Sequence, residues 1–93
     1  MAITDTDLGT LLAEINNVEN EDHRTVLLET VERLKEMHAD LEDADFKQEA
    51  SVHFAHMLLP ESHIPCEEKG ADPMEVHELC IQIMESIMMK GGQ

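Results

Sequence analysis

Leu27, Val31, Leu34, His38 and Leu41 follow one another at spacings of four, three, four and three. That rhythm lines the side chains along one edge of an α-helix but scatters them over both faces of a strand, so it commits the segment to a helix packing by a single seam. Glu29, Glu32, Arg33, Glu36 and Asp40 occupy the other side and give it a wet face. The start is predicted near Asn20 or Asp22, residue types that accept hydrogen bonds from the first backbone N–H groups.

Three further segments repeat the pattern. Leu8, Leu11, Leu12, Ile15 and Val18 recur at helical spacing, with Thr4 or Thr6 able to cap the start and Asn16, Asn17 and Asn20 marking the end. After a short turn, LEDADF, the residues Phe46, Ala50, His53, Phe54 and Met57 align, and Pro60 is expected to stop that helix. Residues 61–71, with Pro65 and Gly70 as breakers, are predicted to form the one sizeable loop. Asp72, Pro73, Met74 and Glu75 then combine an acidic cap, proline at the first helical position and glutamate three after the cap, opening a last helix that runs to about Lys90. No strand pattern competes. The expected fold is all-α: a small antiparallel bundle of about four helices, or three with an extended arm, in a single acidic domain over 1–93.

At 93 residues there is room for one core, burying roughly 60–65% of the surface of the unfolded chain. Trp and Tyr are absent and Phe46 and Phe54 are the only aromatics, so Leu, Ile, Val and Met fill that core, and stacking on nucleic-acid bases is disfavoured. Twenty-one acids against six Lys and Arg give a formal charge of −15, which repels phosphate backbones and anionic membranes. Expected partners are therefore basic or nucleic-acid-binding proteins rather than nucleic acid itself; the plainer alternative is that the acids only solvate outer helix faces. The start, MAITDTDLGT, lacks a basic segment followed by an apolar run, and no stretch approaches the ~18 apolar residues of a membrane span, so a cytoplasmic address with reduced thiols is the expectation. In an oxidising compartment Cys66 and Cys80 would be available to pair.

On a helical wheel at ~100° per residue, Leu79, Ile83, Val76, Ile87, Cys80, Met84, Met88 and Ile81 spread over roughly 200° of the last segment, about twice what one contact with a bundle needs. Either this helix is central, or part of its face, Met88 and Met89 included, serves a partner or a second copy of the chain; homodimerisation or docking is the favoured reading. Glu75, Glu78, Gln82 and Glu85 form a polar, mostly acidic stripe along the same helix.

Two constellations suggest metal chemistry. His63 and Cys66, then His77 and Cys80, are pairs of zinc-competent donors three positions apart, one pair in the predicted loop and one on the last helix, and a zinc-like clasp would use all four. The plain alternative is that Cys80 is a small core residue and His63 is solvated. The competing set is His38, His53 and His77, each placed by its wheel on an inward face, with Cys80 nearby; His77 cannot serve both. The Glu-then-His pairs of di-iron bundles are missing, and a Cys80, Met84, Met88 stripe suited to cuprous copper reads more simply as core. Gly91, Gly92 and Gln93 resemble the tripeptide of peptide-chain release factors, yet the basic surroundings such a role needs are absent and the glycines read as a helix stop. There is no phosphate-binding loop and no nucleophile elbow, and catalysis is not expected. Two functions remain: a small acidic module that binds and modulates a larger protein, as an inhibitor or phosphate mimic, and a metal-binding protein using the clasp.

Overall fold

The structure is a computed structural model that describes residues 6–37 and 46–91, the side chains of 46–49, 90 and 91 excepted. Five helices follow in order: α1 over Gly9–Asn16, α2 over Glu21–Met37, α3 over Phe46–Glu61, α4 over His63–Lys69 and α5 over Pro73–Gly91. No strand occurs among the described residues. The all-helical expectation holds. His38, Asp40, Leu41 to Asp45 of the LEDADF stretch, Thr4, Gly92 and Gln93 lie outside the described residues.

The helix count changes because the predicted loop is a helix. Pro65 is the third residue of α4, where its missing N–H would have had no partner inside the helix anyway. Pro60 falls in the last turn of α3, which runs on to Glu61. The chain then passes almost directly from α3 to α4 through buried Ser62, whose N–H donates to the Leu58 carbonyl at 2.9 Å and whose own carbonyl accepts from Cys66 at 3.0 Å. α3 thus ends one residue past Pro60, close to the expected stop. Gly70 closes α4 at φ 70°, a left-handed conformation that glycine adopts without strain.

Capping follows the sequence in two places and departs from it in a third. The Asn20 side chain accepts from the His23 N–H at 3.1 Å and starts α2, and Asp72 Oδ1 accepts from the Met74 N–H at 2.9 Å and starts α5. At α1 no side chain caps; Leu8 holds the position, and Thr6 contributes its backbone carbonyl to the Gly9 N–H at 3.2 Å.

The core gathers one edge of every helix. Leu8, Leu11 and Ile15 meet Val26, Leu27, Val31 and Leu34, with Phe54 and Leu58 between them and Val76, Cys80, Ile83 and Ile87 closing the far side. α3 touches each of the other helices and Phe54 is fully enclosed, so α3, rather than α5, is the centre of the packing. The α2 seam holds at Leu27, Val31 and Leu34, and widens to include Val26 and Thr30, whose hydroxyl donates to the Val26 carbonyl at 2.8 Å. The radius of gyration, 12.6 Å, is close to the ~12 Å of a folded chain of this length.

Candidate functional site

Because α3 takes the centre, α5 packs by one side only. Val76, Cys80, Ile83 and Ile87 are buried and Leu79 and Met84 are partly so, while Met74, Met88 and Met89 stand 77%, 51% and 75% exposed. Glu75, Glu78, Gln82 and Glu85 are all exposed. Most of the over-wide apolar arc of the sequence thus packs against the bundle or its edge, with Ile81 and Met84 half-buried, and Met88, with Met89, is left in solvent beside the acidic stripe.

Three polar contacts hold this helix in register. Ser86 Oγ donates to Glu14 Oε1 at 3.0 Å, tying α5 to α1. His23 Nε2 lies 3.2 Å from Glu75 Oε2, joining the start of α2 to the first turn of α5. The third is the Asp72 cap. Glu75, predicted to complete a capping box, therefore reaches across to His23. Between the α1–α2 turn and α5 runs an open groove of about 580 Å³ with carboxylates from Glu14 and Glu19, amides from Asn17, Asn20 and Gln82, and an apolar floor.

The four predicted metal ligands separate into two pairs. His63 and His77 are both exposed and share a shallow depression of about 350 Å³ with Pro73, Met74 and Glu78. Cys66 and Cys80 are both buried in the core as free thiols. The crossing of α4 on α5 gathers all four residues but sends imidazoles outward and thiols inward. Among the described residues no group of three or more His, Cys, Asp or Glu side chains is placed to hold a metal ion. Burial pushes the Cys80 thiol up to about 11, against a hydrogen bond from Ser62 and with a further rise from Cys66. Burial also raises Cys66, and the Asp72 carboxylate adds to the rise. A metal bound by these thiols would have to displace their protons.

The core histidine set loses a member. His77, expected to turn inward between Met84 and Ile81, is exposed, because those two neighbours are themselves only half-buried and belong to the edge of the packed face. His53 is half-buried with its ring 5.8 Å from that of Phe54. His38 lies outside the described residues.

Glu32 and Glu36 are exposed on α2, Lys35 Nζ lies 3.6 Å from Glu32 Oε1, and Lys69 Nζ lies 3.4 Å from Glu29 Oε1, linking α4 to α2. Among the described residues no helix is long and apolar enough to cross a membrane. The chain matches no protein-family model, and no curated protein or solved structure is significantly similar to it.

Proposed function

We propose that this chain is a small acidic helical module that binds a larger, basic or nucleic-acid-binding protein and modulates it, presenting carboxylates where that protein otherwise holds phosphates. The observation that carries the reading is the outer face of α5, where Glu75, Glu78, Gln82 and Glu85 form one exposed stripe beside exposed Met88 and Met89. Carboxylates steer a cationic partner and the methionines add area that adapts to its shape. A cytoplasmic setting suits such a module, and action by binding rather than catalysis suits its open, shallow depressions.

Immobilised full-length chain is expected to retain such a partner at low ionic strength and to release it progressively as salt rises, because exposed charges are screened. Retention indifferent to salt, or no retention at all, removes the reading.

The zinc reading has a narrower basis, the meeting of His63, Cys66, His77 and Cys80 at one helix crossing. It requires the buried thiols to ionise and rotate toward exposed imidazoles. Elemental analysis of untagged protein folded in zinc-supplemented medium separates the two: stoichiometric zinc that is lost in Cys66→Ala or Cys80→Ala promotes the metal protein, and its absence leaves the interaction module alone.

A further inference from the structure

The outer half of α5 has a periodicity of its own. Met74, Ile81 and Met88 are seven residues apart, and His77 and Met84 fall three after the first two. In a heptad written from Met74, these five residues are the a and d positions. The buried Val76, Cys80, Ile83 and Ile87, with half-buried Leu79, fall at c, f and g and face the bundle. Glu78 and Glu85 fall at e, and Glu75 and Gln82 at b. α5 therefore carries a packed seam and, beside it, a second repeat of exposed Met74, His77 and Met88 with half-buried Ile81 and Met84, the last also packed against the edge of the core. The second runs into the depression between His63 and Met74, with Ile64 of α4, 44% exposed, close by in sequence.

Building on the interaction reading above, we infer that this second seam seats an amphipathic α-helix of the partner, with apolar residues against Met74, Ile81 and Met88 and lysines or arginines against Glu78 and Glu85. A seven-residue repeat on a helix is complementary to another helix, whose knobs enter the holes between a and d residues. The seam from Met74 to Met88 is ~21 Å long, which a segment of about 15–18 residues covers. Charge decides against a second copy as occupant. An antiparallel self-pair would set e positions against e positions, Glu78 facing Glu85, in chains that each carry a formal −15. In a parallel self-pair the e glutamates would face g positions, Glu78 against Pro73 and Glu85 against Cys80, and neither offers a cation to a carboxylate. A cationic helix meets neither obstacle.

The probe is a fluorescein-labelled peptide of about 18 residues, with leucine at a and d and lysine on the flanks, read by anisotropy against the full-length chain. A second peptide of identical composition has its heptad scrambled. The heptad peptide is expected to bind at least about tenfold more tightly than the scrambled one. The Met74→Gln plus Met88→Gln chain is expected to weaken it by about tenfold or more. Glu78→Gln plus Glu85→Gln is expected to weaken it and flatten its salt dependence, while Glu32→Gln plus Glu36→Gln on α2, an equal change of charge, leaves it unaltered. All these side chains are exposed, and unchanged circular dichroism verifies each fold.

Equal binding of the two peptides, no binding of either, or an equal loss in the α2 variant overturns the assignment. So does a wild-type dimer in sedimentation that the methionine variant dissolves, since the seam would then belong to a second copy. If the seam fails in any of these ways while the immobilised chain still retains a protein in a salt-sensitive manner, the interaction module stands without this face; loss of that retention removes both.

Discussion

Cys80 is 1% exposed, and burial moves its thiol from an ordinary 9.0 to about 11, with Ser62 opposing and Cys66 reinforcing the rise. An acid whose folded pKa exceeds its unfolded one keeps its proton longer in the folded chain. Below about pH 9 both states are protonated and this thiol gives stability no pH dependence. Between about pH 9 and about pH 11 the unfolded chain releases a proton that the folded chain retains, so stability falls as pH rises; beyond that the contribution is constant. That rise corresponds to about 2–3 kcal/mol, against the ~5–14 kcal/mol typical of a chain this size. The assay is urea unfolding under reductant from pH 8 to pH 11, followed by far-ultraviolet circular dichroism because the chain has no Trp or Tyr. Cys80→Ala is less stable at pH 8, through the space it opens, but its decline to pH 11 should be shallower than that of the wild type by about 2–3 kcal/mol. Lysine deprotonation occurs in both chains and cancels. Equal declines would refute the argument, and would mean that the thiol is solvated and available as a ligand.

Phe54 is the one aromatic in the described core and α3 is its hub, so Phe54→Ala should cost ~3–5 kcal/mol in urea unfolding; under about 1 kcal/mol would displace α3 from the centre. Asp72→Ala removes the cap of α5 and should cost about 1 kcal/mol, with Asp72→Asn retaining most of the stability by the same measurement. The two described glycines with open surroundings should respond oppositely. Gly70→Ala forces a side chain into a left-handed conformation at φ 70° and should lower stability by about 1–2 kcal/mol, whereas Gly9→Ala, at the first residue of α1, should raise it by about 0.5 kcal/mol.

The acidic stripe and the excess of apolar surface on α5 were legible in the residues alone. So were the start of α5 at Asp72 and the seam of Leu27, Val31 and Leu34, because position on a helix is fixed by a constant turn per residue and needs no neighbour. The surroundings of the proposed zinc clasp were not legible in the same way. Spacing places His77 and Cys80 on adjacent rows of one helix, yet the rim of the packed face passes between them, leaving the imidazole in water and the thiol in the core. That rim is set by where α3 and α4 lie, which no local rule encodes.

Sequence by itself determined that the chain is helical, that its helices have apolar edges and that its skin is strongly acidic, since periodicity and charge are properties of the residues in order. Tertiary structure decided that α3 occupies the centre, that the segment around Pro65 is a helix instead of a loop, and that Met88 and Met89 of α5 stay open. Pro65 costs α4 little because first-turn N–H groups have no partner inside the helix anyway, and burial is a contest among helices for limited contact area, so which part of α5 stays open depends on residues far away in the chain.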